Sequence, residues 1–430
     1  MKALYRFALA IGLVCSLSLS SSSANYIEVT ATGNRLLKLA VVPPQPAGAS
    51  APQPPLANEM AEAQIFDLTM SGLFQAERRD AAPLTQGLGL TMVDFVPWLT
   101  AGYDLLVRGE YELRGDDLTV EFRLFDVLNK KLLLAKRYLG KQKDLRRFAH
   151  AFSDELLLTL SGEKGAFTAR LVYVSSQPGS KEIFVMDWDG HNSQRITSNR
   201  SINLGPDVSP DGREIIFTSY KRGNPDLYKR ALASNVDVPI SLRPGVNITG
   251  AWSPDGSRIA MALSKDGNTE IYVVKRDGSA PVRLTVSQSA NVSPAWSPDG
   301  SRIAFVSDRY GKPQIFVMDA NGGNVRRLTN GGYCVNPAWS PKGDKIAYAR
   351  SGGGFQIHTI NPDGSGDQQL TSEGSNERPR WSPDGRLIAF SSKRGGAEAV
   401  YVMRADGSGQ TRVSKTGGSN IHPVWTPRWQ

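Results

Sequence analysis

A five-residue pattern, Trp-Ser-Pro-Asp-Gly, recurs from residue 209 onward in this 430-residue chain at a nearly constant interval. Its serine or threonine, weaker copies included, stands at Ser209, Ser253, Ser297, Ser340, Ser382 and Thr426, so that successive copies are 44, 44, 43, 42 and 44 residues apart. A repeat of this length with strand-like content is typical of a β-propeller, in which small sheets are arranged in a ring.

One repeat contains four strand candidates separated by turn-forming residues. Around Trp252 the first candidate ends at this residue, and the others cover 259–263, 271–274 and 282–285. Asp-Gly pairs lie between them, which favours tight hairpins because glycine tolerates positive φ. The candidates are apolar almost throughout, and this pattern predicts sheets that are covered on both faces.

The number of repeats predicts how the ring closes. Second-strand candidates begin near Leu171, Ile215, Ile259, Ile303, Ile346 and Leu387. The first of them has no Trp-Ser-Pro strand before it, whereas residues 420–425 form such a strand with no second strand after it. The economical arrangement lets this last strand complete the first sheet. The sequence therefore predicts a six-bladed propeller closed by the C-terminal strand, which hides the sheet edges.

Residues 1–24 have the pattern of an export signal. Lys2 and Arg6 give a basic start, residues 8–19 are apolar but too short to span a bilayer, and small residues at 22–24 suit cleavage. Cys15 follows a bulky residue, which disfavours lipidation. No other stretch is long and apolar enough to cross a membrane, so the mature chain is expected to start near Asn25 and to be exported.

The composition argues against two properties of the mature chain, namely an internal disulfide and nucleic-acid binding. Only Cys334 remains after cleavage, so no disulfide within the chain is expected. The formal net charge of +9 falls to 9 − 2 = +7 when Lys2 and Arg6 are removed. The basic residues are scattered along the chain and form no cluster with aromatic residues, which argues against nucleic-acid binding.

The chain before the repeats has a different pattern. An alternating segment at 25–34 precedes a predicted α/β domain at 35–162, and the propeller is assigned to 163–430. The predicted strands of the α/β domain are 36–42, 103–109, 118–127 and 131–138, and its predicted helices are 56–73, 91–98 and 144–160. A domain of this size is common.

An export signal, a compact α/β domain and six such repeats together resemble the TolB family, the periplasmic propeller proteins of the Tol-Pal envelope system. The most specific match lies at the domain junction, in residues 153–156 (Ser-Asp-Glu-Leu) and 161–170. The repeats alone are less specific, because oligopeptidase propellers carry them too. The resemblance covers the whole chain and departs from the family pattern at Val208, Lys342 and the turn at 233–235.

This resemblance implies a protein-binding role. In the family the propeller docks the peptidoglycan-associated lipoprotein Pal, and the mature N-terminal segment binds the inner-membrane-anchored protein TolA. The system supports outer-membrane integrity and constriction of the envelope during cell division. We therefore expect Pal and TolA as partners, a monomer without cofactor, nucleic acid or membrane insertion, and coupling between the two binding sites.

Two rings of residues at one end of the predicted channel are candidates for the Pal site. Five residues before each tryptophan position stand Asn203, Asn247, Asn291, Cys334, Asn376 and Asn420. Asparagine caps turns and tolerates left-handed φ, so this ring is interpreted as maintaining the fold. Three residues before the tryptophan position stand Gly205, Thr249, Ser293, Asn336, Arg378 and His422. The varied polar chemistry of this ring suits either partner docking or simple solvent exposure.

The resemblance narrows the Pal contacts within this region. It places them at Thr249 and Ser293, with Val246 and Val292 as neighbours. The family has a histidine and an acidic residue among these contacts, where Val246 and Ser293 stand here. Arg378 and His422 are therefore the alternative polar anchors. The complete predicted set is Val246, Thr249, Val292, Ser293, Asn336, Arg378 and His422.

The second predicted site is the segment at 25–34. Its alternating residues suit addition to an exposed sheet edge, where backbone hydrogen bonds provide the affinity. The alternative interpretation is the first strand of the α/β domain. By resemblance this segment binds TolA, and the predicted contacts are Tyr26, Ile27, Glu28, Val29 and Thr30.

Propellers also occur in two kinds of enzyme. A propeller-type serine hydrolase needs a separate hydrolase domain and a Gly-x-Ser-x-Gly motif, which the sequence lacks. A metal-dependent lyase or hydrolase needs several converging ligands, but the only histidines are His150, His191, His358 and His422, and just the last lies at the predicted channel mouth. The Asp-Gly turns lack the spacing of a calcium loop. No catalytic residue and no metal site are therefore predicted.

Overall fold

The structure is a computed structural model that describes residues 35–48, 50–80 and 92–428. The predicted export signal and the segment at 25–34 lie outside the described residues. The N-terminal α/β region has strands β1 Leu37–Val41, β2 Gln45–Pro46, β3 Phe74–Arg78, β4 Leu105–Arg114, β5 Asp117–Asp126 and β6 Lys131–Lys141. Its helices are α1 Pro54–Met70, α2 Val96–Thr100 and α3 Leu145–Ser161, with a 3₁₀ turn at Gln142–Asp144 before α3.

The sheet of this region has the strand order β3-β1-β4-β5-β6, with β2 beside β4. Strand β1 is parallel to both β3 and β4, and β4, β5 and β6 are antiparallel. The predicted helices and strands are present with shifted ends, and the smallest overlap is in α2, which shares only residues 96–98 with the predicted helix at 91–98. Strand β3 was not predicted, because only Phe74 of this edge strand is buried and Gln75, Glu77 and Arg78 are polar. Helices α1 and α3 pack together, and both contribute residues to the core cluster that includes the sheet.

The propeller consists of six four-stranded sheets. Blade 1 contains β7 Arg170–Ser175, β8 Glu182–Asp187, β9 Gln194–Arg195 and the last strand β30 Asn420–Trp425. Blade 2 contains β10 Asn203–Val208, β11 Glu214–Ser219, β12 Asp226–Ala231 and β13 Asp237–Ser241. Blade 3 contains β14 Asn247–Trp252, β15 Arg258–Leu263, β16 Glu270–Lys275 and β17 Val282–Arg283.

The remaining three blades have the same up-and-down order. Blade 4 contains β18 Asn291–Trp296, β19 Arg302–Ser307, β20 Gln314–Asp319 and β21 Arg326–Arg327. Blade 5 contains β22 Tyr333–Trp339, β23 Ile346–Ser351, β24 Phe355–Ile360 and β25 Gln368–Gln369. Blade 6 contains β26 Asn376–Trp381, β27 Leu387–Ser392, β28 Ala399–Arg404 and β29 Thr411–Arg412.

The C-terminal strand closes the ring, as the repeat count predicts. The innermost strands contact one another in the order β10, β14, β18, β22, β26 and β30, and β30 returns to β10. Strand β30 pairs antiparallel with β7, with Trp425 opposite Leu171 and Asn420 opposite Ser175. The Arg170 N–H donates to the Thr426 hydroxyl at 2.9 Å and holds the end of this pairing.

The Ser-Pro-Asp-Gly pattern forms the turn between the first and second strands of a blade. In blade 3 the Ser253 hydroxyl donates to Asp255 Oδ1 at 2.5 Å, and the Ser257 N–H donates to the same oxygen at 3.1 Å. These hydrogen bonds to the charged form lower the pKa of Asp255 to about 2. Gly256 adopts a φ of +68°, which explains the glycine of the pattern.

The fourth strand of blade 3 is shorter than predicted. It covers only two residues, Val282–Arg283, and does not extend to Thr285. The Thr285 hydroxyl instead accepts the N–H of Ile271 at 2.9 Å and donates to Glu270 Oε2 at 2.5 Å. The Leu284 N–H still donates to the Ile271 carbonyl at 2.8 Å, and the Thr285 side chain makes the last contacts of this strand end.

Candidate protein-binding face at the channel mouth

A left-handed residue interrupts every inner strand at the same place. The residues three positions before the tryptophan position have φ values between +54° and +56°, and they are Gly205, Thr249, Ser293, Asn336, Arg378 and His422. The strand register shifts at this point in all six blades. Five of the six are not glycine, and left-handed φ costs such a residue about 1 kcal/mol. Strain of this kind often persists at functional sites.

The residue that follows each left-handed position is compatible with the shift in strand register. It is proline in five blades and Gly250 in blade 3. Proline has no N–H, so no backbone donor is left unpaired where the strand register shifts. At Gly250 a Cβ atom would lie only 2.8 Å from Ile216 Cδ1, so the close packing of blade 2 accounts for glycine there.

The asparagine ring is buried, which supports the interpretation that it maintains the fold. Asn291 is fully buried, and its amide donates to Glu270 Oε2 at 2.7 Å and to Ser287 Oγ at 2.8 Å. Asparagine thereby connects the start of one blade to the outer strands of the preceding blade. The predicted turn capping is present, since the Asn291 amide also donates to the Ser289 carbonyl at 3.0 Å. The expected left-handed φ was wrong, because none of these five asparagines has a positive φ and the left-handed residue comes two positions later.

Two members of the left-handed ring hold the next blade in place. The Gly205 N–H donates to His422 Nδ1 at 3.1 Å, and the Ser293 N–H donates to Thr249 Oγ1 at 3.3 Å. Burial, followed by the positive charge of Arg378, lowers the pKa of His422 well below its ordinary value. His422 is therefore neutral and uses Nδ1 as an acceptor, so its partner-binding capacity is limited to Nε2.

Four of the predicted Pal contacts line one open groove at this face. They are Val292, Ser293, Asn336 and Arg378, and the other lining residues are Val306, Tyr333, Val335, Ser351, Phe355 and Glu377. A second, smaller pocket contains Arg378 and His422. Arg378 is common to both, so it connects the groove with the neighbouring pocket. Val246 and Thr249 line neither of these two cavities.

Three charged residues of the inner strands were not predicted, and they are Asp207, Glu377 and Arg380. Arg380 and Asp207 each stand one residue before the tryptophan position of their blade, where alanine or valine occupies the other four blades. Burial raises the pKa of Asp207 to about 6, although the charge of Arg380 and the N–H of Trp252 oppose this shift. The Trp252 N–H donates to Asp207 Oδ2 at 2.8 Å. Alignment of the six repeats would have revealed both departures.

A separate charged cluster lies at the contact between the α/β region and blade 1. His150 on α3 lies 2.9 Å from Asp67 on α1 and 3.3 Å from Asp189, which also pairs with Arg146. Among the described residues, His150, Asp187 and Asp189 are the one group whose ligand atoms lie close enough to hold a metal ion. His150 pairs with Asp67, and Asp189 pairs with Arg146. These side chains therefore form an ion-pair network between the domains.

The fold defines a six-bladed propeller protein with an N-terminal α/β domain and a grooved channel mouth. Comparison with known families makes this assignment specific. Residues 158–429 match the family described as the TolB beta propeller domain, and residues 25–133 match the TolB amino-terminal domain. The chain belongs to the TolB family. The resemblance in the sequence is thereby confirmed.

Curated relatives and a solved structure agree with this assignment. The Tol-Pal system protein TolB of Geobacter metallireducens is 55% identical over 211 residues, which cover 49% of each chain. The protein of the same name from Geobacter sulfurreducens is 54% identical over 190 residues, which cover 44% of each chain. The chain thus matches about half the length of these relatives. The crystal structure of TolB from Acinetobacter baumannii has a TM-score of 0.79 at 26% identity and covers 91% of this chain and 97% of that chain.

Family membership places the protein in the Tol-Pal system of the cell envelope. The relatives are named for this system and not for an enzymatic activity. Among the helices of the described residues, none has the length and apolar character needed to cross a membrane.

Proposed function

We propose that this protein is a periplasmic scaffold of the Tol-Pal system that binds other proteins and catalyses no reaction. Its propeller docks Pal at the channel mouth, and its mature N-terminal segment binds TolA. Through these contacts it supports outer-membrane integrity and envelope constriction during cell division. The observation that carries the proposal is the groove that contains Val292, Ser293, Asn336 and Arg378 in a member of the TolB family.

The shape and chemistry of the groove suit a protein ligand. Tyr333 is 45% exposed, and Val335 and Phe355 are partly exposed beside it. Ser293, Asn336 and Arg378 add polar groups around these apolar side chains. An apolar centre with a polar rim is the usual composition of a protein interface. The closed ring keeps this surface rigid, which reduces the ordering cost of binding.

The N-terminal segment at 25–34 is the proposed TolA ligand, with Tyr26 to Thr30 as its contact residues. It lies outside the described residues, so its support comes from its alternating sequence and from the family match, which begins at residue 25. Docking of Pal on the propeller is proposed to change the availability of this segment. Such coupling must act in both directions, so TolA binding would change the affinity for Pal by the same factor.

Calorimetry with the soluble domain of Pal tests the propeller site. The double variant Arg378→Glu with Thr249→Trp is expected to bind Pal at least about tenfold more weakly, because it reverses a charge and blocks the face. The matched control is Arg213→Glu with Val282→Trp, since both residues lie away from the channel mouth and Val282 is 56% exposed. Equal affinity of the test variant and the control would contradict the proposed site.

A deletion tests the second site. Removal of residues 25–33 from the mature protein is expected to abolish capture of TolA in a pull-down from envelope extracts and to leave Pal binding intact. Retained capture of TolA would contradict the role of the segment. Loss of both partners together with a lower unfolding midpoint would instead indicate that the segment belongs to the fold.

A further inference from the structure

The face at the channel mouth has an excess of positive charge. The six turns between second and third strands lie on the side where each inner strand begins, because the strands of a blade run alternately up and down. These turns contain eight basic residues, namely Lys181, Lys221, Arg222, Lys265, Arg309, Lys312, Lys393 and Arg394. The same turns contain three acidic residues, namely Asp266, Asp308 and Glu398. Such a surface attracts a negatively charged partner.

Several of these charges have no partner among the described residues. Lys181, Arg222 and Lys312 make no side-chain hydrogen bond or ion pair there, and neither does Arg378 on the inner strand β26. Other members of the set are paired internally, for example Lys265 with Asp266 at 2.6 Å. The unpaired cations are therefore the ones available to a ligand.

Arg378 is the most constrained of these cations. It occupies a left-handed position at φ +55° and lines both cavities of the face. Burial, followed by the nearby charge of Arg380, lowers its pKa to about 10, which still leaves it charged at neutral pH. A partly desolvated guanidinium without a carboxylate on it gains strongly from an incoming carboxylate, because its planar fork forms two parallel hydrogen bonds.

The acidic residues of this wall do not satisfy Arg378. Glu377 precedes it and lines the same two cavities, but the two side chains form no hydrogen bond or ion pair in the described structure. Asp207 interacts with the charge of Arg380, and its carboxylate accepts the Trp252 N–H. His422 is neutral for the reasons given above. The guanidinium of Arg378 is therefore available to pair with a carboxylate of a ligand.

We propose that the partner docked at this face inserts a carboxylate side chain that pairs with Arg378, and that the surface around this carboxylate is acidic. An apolar side chain beside the carboxylate would occupy the adjacent groove at Tyr333, Val335 and Phe355. This inference rests on the proposed function and specifies the chemistry that the docking site recognises. The occupant is a protein, and an anionic lipid surface is the alternative that the experiment separates.

The decisive variant is Arg378→Gly. Gly205 occupies the equivalent position in blade 2 at φ +55°, so glycine fits the backbone and removes the strain. The variant is expected to unfold at the same or a higher temperature and yet to bind the soluble domain of Pal at least about tenfold more weakly. Arg378→Lys is expected to bind with intermediate affinity, because it keeps the charge and loses the fork.

The control is Arg213→Met on the opposite side of the ring, which removes the same charge and is expected to leave affinity unchanged. Binding by the wild type is expected to weaken between 50 and 300 mM NaCl, that is over roughly a sixfold increase in ionic strength, and Arg378→Gly is expected to show less of this dependence.

The outcomes separate the two proposals. No binding of Pal by the wild-type protein would overturn both. Normal binding by Arg378→Gly, or wild-type binding that does not depend on salt, would overturn only the carboxylate site. If Arg378→Gly binds phosphatidylglycerol vesicles more weakly than the wild type but keeps its affinity for Pal, the carboxylate site would also be overturned, in favour of a lipid surface.

Discussion

The Trp188 indole donates its Nε1 hydrogen to Asp67 Oδ1 at 3.1 Å and so connects blade 1 of the propeller to helix α1. Both side chains are fully buried, and Asp67 also lies 2.9 Å from His150 Nδ1. Burial alone would lower the pKa of His150, but the carboxylates of Asp67 and Asp189 raise it to about 10. Burial raises the pKa of Asp67 while the charge of His150 opposes this rise, so the charged histidine and its two acidic partners hold the domains together at neutral pH.

The substitution His150→Leu is expected to destabilise the protein by about 3–5 kcal/mol, because it leaves Asp67 and Asp189 buried without this cation. Urea unfolding followed by tryptophan fluorescence measures the loss, since Trp188 lies in the same contact. The double variant Asp67→Leu with His150→Leu is expected to lose less than the sum of the single variants. Additive losses would contradict the pairing.

The same histidine predicts a dependence on pH. Its pKa is higher in the folded protein than the ordinary value of about 6.5, so folding binds its proton more tightly. Its contribution is complete below about pH 6.5 and is lost as the pH rises through about 10. The stability difference between the wild type and His150→Leu should therefore decrease from pH 6.5 to pH 10.5 in urea titrations. A constant or growing difference would contradict the assignment.

The fold was readily predicted because the signal is repeated. Six copies of one turn pattern gave the number of blades, and the unpaired strand at 420–425 gave the closure. Strand β3 escaped because an edge strand with one buried side chain has no alternation to recognise. The early end of β17 escaped because, beyond the backbone bond of Leu284, the Thr285 hydroxyl takes the N–H of Ile271.

The face was harder to predict, for reasons that particular residues show. Chemical variation at Thr249, Arg378 and His422 suggested that no fold constraint acts there, yet all three have left-handed φ, and Thr249 and His422 accept backbone N–H groups of the next blade. A single sequence does not reveal φ when the residue is not glycine. Arg380 departs from the repeat at the position beside the tryptophan, which belongs to neither of the two rings.

Removal of residues 420–430 tests the closure of the ring. Strand β7 would lose its antiparallel partner, and Trp188 would lose the ring stacked on it, since the Trp425 centroid is 6.2 Å away. The exposed edge is expected to cause aggregation, visible by light scattering and size-exclusion chromatography. A monomeric shortened chain with an unchanged unfolding midpoint would remove the closure argument.

Gly278 and Gly267 both have positive φ, but only Gly278 has close neighbours, so the two allow backbone strain to be distinguished from steric overlap. Gly278 has φ +84°, and a Cβ atom there would lie 2.1 Å from the Ile240 carbonyl oxygen of blade 2. Gly267 has φ +105°, with nothing within 4 Å of its Cβ position. Gly278→Ala is therefore expected to destabilise the ring by several kcal/mol, and Gly267→Ala by only about 1–2 kcal/mol. Equal losses in urea unfolding would mean that blades 2 and 3 do not pack this closely.

Ser293 tests whether the left-handed ring retains strain for binding. Its side chain makes no hydrogen bond among the described residues, so Ser293→Gly should raise the free energy of unfolding by about 1 kcal/mol through relief of strain. Ser293→Val should lower it, because a branched side chain tolerates positive φ poorly. If Ser293→Gly is more stable and also binds Pal more weakly, the residue is kept for the interface. If Ser293→Gly is instead less stable than the wild type, Ser293 stabilises the fold. The binding role proposed for the ring would then rest on Arg378 alone.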